Sequence, residues 1–204
     1  PLPNKADWPT RYKDLTDPKW KGKCAIAKPK NGTTRTHFCA MWKLLGDDGM
    51  QQWIEDMQKN DVMFLPGNGA TMNVVREGKM MFAFTDTDDF HVAKMKGHPV
   101  ACVFPDQQEN GIGTMLIPNS VALIKGGPDQ QNAKRLIDKI LTRDTEALLA
   151  AADSAQIPLR EGVTSPPDDE ILKLGAFREM AWDITWTGEN FGAFDAKFGK
   201  LFGL

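Results

Sequence analysis

The stretch Val62-Met63-Phe64-Leu65-Pro66-Gly67-Asn68-Gly69-Ala70-Thr71-Met72-Asn73-Val74-Val75-Arg76-Glu77-Gly78-Lys79-Met80-Met81-Phe82-Ala83-Phe84 decides the fold. Val62–Leu65 is an apolar run of strand length. The Pro66-Gly67-Asn68-Gly69 turn stops it and opens a helix from Ala70 to Glu77. A second apolar run, Met80–Phe84, follows at once. One short helix between two strands is the crossover that a parallel pair needs. Upstream, Cys24–Ala27 reads as a buried strand and Thr36–Leu45 as a helix ended near Gly46. Gly49–Lys59 carries Met50, Trp53, Ile54 and Met57 at helical spacing. Downstream, Asp86–Met95 reads as a helix and Val100–Phe104 as a further strand. This alternation predicts an α/β sheet with parallel crossovers.

The second half changes character. Thr114–Ile124 is a strand-like run broken by Pro118. Pro128 suits the first turn of a helix reaching Leu141, with Ala133, Leu136, Ile137 and Ile140 facing inward. Thr145–Ala152 is a second helix, Gly162–Asp169 reads as a linker, and Glu170–Leu204 as a helical tail. Phe191, Phe194, Phe198, Leu201 and Phe202 form one stripe of that tail, which is the mark of core packing.

With 204 residues, 41% of them hydrophobic and 25% charged, the chain has the composition of an ordinary globular protein. The net charge of −2 lacks the basic excess that a general binder of nucleic acid or anionic membranes needs. Apolar runs such as Ala147–Ala152 are far too short to cross a bilayer. Cys24, Cys39 and Cys102 form no CxxC pair and read as buried small hydrophobes. The first 17 residues are polar and proline-rich, without the apolar core of a leader.

Three strand-to-helix turns carry the candidate chemistry, because helix N-termini present unpaired N–H groups to anions and other acceptors. The first is Lys30-Asn31-Gly32-Thr33-Thr34, which also reads as an ordinary capped turn. The second is Gly67-Asn68-Gly69. The third, Thr85-Asp86-Thr87-Asp88-Asp89-Phe90-His91, places three carboxylates within four residues. It reads either as a capping box of Asp86 and Asp89 or as a site for a hard cation on Asp88 and Asp89. All three turns sit at carboxyl ends of strands, where open α/β sheets bind ligands, so one solute can meet them together. His37 and His98 carry no catalytic spacing, and no HExxH or GxSxG motif is present.

Several stretches together resemble periplasmic solute-binding proteins of the ferric-iron ABC-transporter type. They are Tyr12–Lys23 (YKDLTDPKWKGK), Lys28–Thr34, Asn68–Lys79, Phe84–Asp89 (FTDTDD), Phe104–Gln107, Ile117–Lys125 and Ala152–Arg160. The similarity runs in the family's order over most of residues 10–165. It implies a type II periplasmic-binding-protein clamshell, in which a solute is trapped between two lobes and handed to a membrane permease. By the same resemblance, residues 1–112 and 166–204 correspond to the second, C-terminal lobe, and 113–165 to a returning segment of the first. The chain then reads as lacking the N-terminal part, signal peptide included. The apolar faces of helices 128–141 and 145–152 would then need cover, for which a dimer or swap with a second copy is the expectation.

The family's anion turn falls on Asn31, Gly32 and Thr33, and its second-turn asparagine on Asn68. The family's Asn and adjacent tyrosine pair fall on Asp86 and on Asp88-Asp89. This chain has a single tyrosine, Tyr12, so tyrosinate ligation of iron is unavailable from this lobe. Two carboxylates remain suited to Fe³⁺ and equally to other hard cations, with a synergistic anion beside them. His91 is a further candidate nitrogen ligand. The implied role is a periplasmic binding protein without catalysis or catalytic cofactor, and without nucleic acid as partner. The rival readings are a metal-dependent hydrolase on the Asp86/Asp88/Asp89 turn and the effector domain of a transcriptional regulator.

Overall fold

The computed structural model describes residues 4–164 and 170–203. Its frame is a three-stranded parallel sheet of β1 (Cys24–Ala27), β2 (Met63–Leu65) and β3 (Phe82–Phe84), in the order β2-β1-β3. Ala25 pairs with Met63 on one side and Ala83 on the other, and Ile26 with Phe64 and Phe84. Every residue of β1 is buried. That burial explains its small apolar composition, since a central parallel strand is covered on both faces.

Helix α1 (Gly32–Lys59) crosses from β1 to β2, and α2 (Asn68–Arg76) carries the chain from β2 past β1 to β3. Gly46 breaks α1 into two rods, with φ 70° and ψ −179°. Its positive φ is cheap only without a Cβ. The two helices read on either side of Gly46 are therefore present. The first begins at Gly32, four residues earlier than its pattern suggested. Helix α3 (Thr87–Met95) follows β3, then come α4 (Gln130–Ile140), α5 (Arg143–Ala151), α6 (Ile184–Glu189) and α7 (Phe191–Phe198).

The main core lies between the sheet, α1 and the C-terminal helices. Phe38 is fully buried, with Trp53 at 5.2 Å and Phe202 at 5.5 Å between ring centroids. Phe194, Phe198 and Phe202 pack into the same cluster, as the tail stripe required. Arg35 on α1 ties this tail down through a two-pronged contact with Asp195, its guanidinium lying 4.6 Å from the Phe191 ring centroid. Trp20 is buried edge-on against Phe82 and anchors the N-terminal segment beside the sheet. Cys24, Cys39 and Cys102 form no disulfide, the first two being buried and the third half-buried. Burial pushes the Cys24 and Cys39 thiols up to about 11.

Three sequence expectations are corrected. Val100–Phe104 joins no ladder. It is bracketed by Pro99 and Pro105, with Val100 N–H turned to the His98 carbonyl and Asp106 N–H to Thr10. Thr114–Ile124 is no long strand: Thr114 makes one isolated bridge with Glu179, and Tyr12 Oη takes the Met115 N–H. The tail is helical only from Ile184, and Glu170–Asp183 runs without helix. The part of the proposed linker from 165 to 169 lies outside the described residues. Helices 128–141 and 145–152 form as α4 and α5, but several of their large apolar residues are not covered: Leu136 is 60% exposed and Leu148 71%, although Ala150 is buried.

Candidate functional site

The parallel sheet brings the three turns to one rim. Each strand ends there in the N-terminus of the next helix, and the rim lies where the chain reverses from β2 across β1 to β3. A closed hydrogen-bond net joins them. Asn68 Nδ2 donates to Asp86 Oδ2 at 2.6 Å and to Thr33 Oγ1 at 2.9 Å. Thr33 Oγ1 donates to the same Asp86 oxygen at 3.0 Å, and Thr34 Oγ1 to Asn68 Oδ1 at 3.1 Å. Residues more than fifty positions apart along the chain therefore share one carboxylate.

This net speaks against the capping-box reading of the acidic turn. Asp86 holds the N-cap position of α3, but its side chain caps nothing and reaches across to the other two turns. Asp89 Oδ2 accepts from Thr85 Oγ1 at 2.7 Å instead of closing a capping box, and Asp88 Oδ1 accepts the Asp89 N–H. One carboxylate oxygen from each of Asp86, Asp88 and Asp89 lies within 4.8 Å of the others, a spacing that suits hard oxygen ligation of one cation.

The electrostatics favour a positive guest. Burial raises the Asp86 carboxyl above its ordinary range, opposed by the Asn68 and Thr33 hydrogen bonds and assisted by the Asp88 charge. Burial likewise raises Asp89, with Thr85 opposing and the Asp88 and Asp86 charges adding to the rise. A cation between the three would relieve that mutual repulsion.

The other candidates fall outside this net. Asn31 is exposed and its side chain makes no capping bond, and Gly32 contributes only a left-handed backbone turn at φ +63°. Thr33 and Thr34 are the participants from that turn. His91 is buried on α3 and is not among the ligand atoms that gather with the three carboxylates. Tyr12 is buried under Met115 with its ring stacked on Phe84 at 5.3 Å, and burial pushes its phenol well up. It is no metal ligand.

Behind the rim lies a cavity of about 390 Å³, lined at one end by Thr33, Asn68 and Asp86. Leu116, Ile117, Asn119, Gln156 and Ile157 line it as well, and Asn119 donates to Gln156. His37 also lines it, which the sequence reading passed over. The signal was its spacing: His37 stands four residues after Thr33, on the same face of α1 one turn deeper.

A family model described as bacterial extracellular solute-binding protein matches residues 3–177. A Salmonella typhi protein, provisionally named a 2-aminoethylphosphonate-binding periplasmic protein, is 25% identical over 183 residues, covering 87% of this chain and 53% of its own. Iron uptake protein A1 of a Synechocystis strain is 23% identical over 176 residues, covering 82% of this chain and 48% of its own. The chain thus spans about half the length of the curated relatives it matches. Among solved structures, iron-bound HitA from Pseudomonas aeruginosa superposes with a TM-score of 0.78 at 20% identity, over 98% of this chain and 63% of that one. The fold is that of the type II periplasmic binding proteins, and no described helix is long and apolar enough to cross a membrane. On the match of the family model over most of its length, the chain belongs to the bacterial extracellular solute-binding proteins.

Proposed function

We propose that the chain is the solute-binding component of an ABC importer, working in the periplasm and delivering its cargo to a membrane permease. The cargo is a hard cation, Fe³⁺ among them, or its complex with an oxyanion, and the role is binding without turnover. The observation that carries this is the shared hydrogen-bond net of Thr33, Asn68 and Asp86. It gathers three helix N-termini and three carboxylates at one rim. Asp86, Asp88 and Asp89 hold the cation, and the N-termini of α1 and α2 face the accompanying anion. Residues 1–112 and 166–204 form the C-terminal lobe in this reading, and 113–165 the returning segment of the first. A second copy of the chain is the proposed cover for the apolar faces of α4 and α5.

The hydrolase alternative lacks support. It would need a second ligand set or a general base beside the acidic turn. Among the described residues, Asp86, Asp88 and Asp89 are the one such group. A specific observation favours a second cargo: the Salmonella relative is named for a molecule with an ammonium and a phosphonate, and the rim offers carboxylates beside helix N-termini.

Thermal unfolding with Fe³⁺, other metal ions, phosphate and 2-aminoethylphosphonate tests the proposal on wild type and on Asp88→Ala/Asp89→Ala. Saturating cargo raises the wild-type midpoint by mass action, and the double substitution abolishes the rise. Stabilisation by a metal ion that survives the double substitution removes the acidic turn from the site.

A further inference from the structure

We propose that the Asn31-Gly32 step is a site of spontaneous deamidation, which turns Asn31 into aspartate and isoaspartate at the edge of the rim. The reaction needs no cargo and does not depend on the three carboxylates. The chain holds three Asn-Gly steps: Asn31-Gly32, Asn68-Gly69 and Asn110-Gly111. A glycine after asparagine favours the reaction, because without a Cβ its backbone nitrogen approaches the side-chain carbon closely. The three steps are alike in sequence, and the fold separates them.

At the first step both reacting groups are open. Asn31 and Gly32 are exposed, and the Asn31 side chain makes no capping bond. The Gly32 N–H opens α1 and therefore has no partner within the helix. Nothing lies within 4 Å of the place a Gly32 Cβ would take, which leaves room for a ring. The positive end of α1 also favours the charge that this nitrogen carries once its proton is lost.

The other two steps are closed. The Asn68 amide is held by Thr33, Thr34 and Asp86, and turning it onto the Gly69 nitrogen breaks all of these contacts. At the third step the Gly111 N–H is already given to the Gln108 carbonyl at 2.9 Å. Gly111 is also wedged against the Asp106 carbonyl, where a Cβ would come within 2.1 Å of the oxygen.

In the reaction the Gly32 nitrogen gives its proton to solvent and bonds to Asn31 Cγ. The Cγ–Nδ2 bond breaks, and ammonia leaves with a proton from solvent. Water then opens the five-membered imide at either carbonyl. One opening gives aspartate on the original backbone; the other gives isoaspartate, which adds a methylene to the chain. Both put a carboxylate on the turn that supplies Thr33 and Thr34 to the net.

Ageing the full chain in mildly alkaline buffer, folded and in parallel unfolded in urea, tests the proposal. Trypsin places the three steps on separate peptides, 31–35, 60–76 and 97–125. Mass spectrometry reads the exchange of NH₂ for OH on each, and an isoaspartate-specific methyltransferase reads the rearranged product. In the folded chain Asn31 converts at least about tenfold faster than Asn68 and Asn110, the worth of one hydrogen bond broken on the way to the ring. In urea the three convert at comparable rates, which shows that the fold sets the difference. Asn31→Gln removes the methyltransferase signal from the folded chain, since its longer side chain closes a larger ring slowly. The proposal is overturned if Asn31 keeps its amide in the folded chain, if the three steps convert there at equal rates, if Asn68 or Asn110 leads, or if the folded ranking persists in urea.

Discussion

The side-chain amide of Asn68 donates to Asp86 Oδ2 at 2.6 Å, binding the turn after β2 to the turn after β3 across the carboxyl end of β1. Asn68 also donates to Thr33, so this one amide group touches both partner turns. Truncation to Asn68→Ala leaves Asp86 with Thr33 alone and removes one of the two contacts that lower its carboxyl. We expect a loss of about 1 kcal/mol in stability and at least a tenfold loss in cargo affinity. Chemical denaturation and calorimetry measure the two effects separately. Unchanged affinity would break the link between net and site.

Asp86→Asn keeps an oxygen for Thr33 and Asn68 but removes a charge from a repulsive trio. The folded-state carboxyls of Asp86 and Asp89 are raised above 3.8. In the window from 3.8 up to those raised values the folded chain holds more protons than the unfolded one. Stability therefore falls as pH rises through it. Asp86→Asn flattens this slope and raises the cargo-free midpoint at neutral pH by ~2 °C. Cation binding follows the opposite trend and strengthens as the carboxylates ionise. Midpoints recorded against pH with and without metal check both signs.

His37 titrates with the other sign. Burial lowers its imidazole from 6.5 to about 4, so the unfolded chain binds the extra proton between those values. Stability is then fully present above pH 6.5 and is lost as pH falls toward 4, by up to about 3 kcal/mol. His37→Leu removes this acid sensitivity while the Asp86 and Asp89 slope persists. Urea midpoints of both variants across pH 4–7 resolve the two contributions. A wild-type curve that is flat over that range contradicts the assignment.

Arg35 and Asp195 join helices distant in sequence, α1 and α7, with both charges half-exposed. A double-mutant cycle of Arg35→Ala and Asp195→Ala is expected to return a coupling energy of about 1 kcal/mol. That exceeds an ordinary surface pair because the contact is two-pronged and the guanidinium also lies over Phe191. Phe38→Ala, by contrast, empties the middle of the main core and costs about 3–5 kcal/mol.

The uncovered faces of α4 and α5 bear on assembly. Leu136→Glu/Leu148→Glu places charges on two of their most exposed apolar residues. Sedimentation is expected to show wild type associating with concentration and the double variant monomeric, with little change in unfolding midpoint. A monomeric wild type sinks the proposed second copy.

The sheet was legible because β1, β2 and β3 are short apolar runs separated by turn residues and helical spacing, and Gly46 announced the break in α1. Their convergence followed from topology, since parallel strands send all their ends to one rim. Val100–Phe104 and Thr114–Ile124 were misread because an apolar run becomes a strand only where a neighbour presents a matching ladder. Here prolines and the Tyr12 hydroxyl intervene. At the first turn, Asn31 and Gly32 were favoured with Thr33, but the helix starting at Gly32 places Thr33 and Thr34 within reach of the other turns. The spacing from Thr33 marks His37 as a neighbour of the first turn, but nothing in the sequence shows that its nitrogen is left without a partner.

The register of β1 has a consequence for how such a protein changes its diet. Ala25 and Ile26 are paired on both flanks of a fully buried strand, and a one-residue slip would turn every side chain to the opposite face. The recognition loops therefore keep a constant mutual spacing whatever residues they carry. A substitution at one tip, an acid for a phenol or an amide for a hydroxyl, therefore changes the chemistry offered at the rim without moving the other two turns.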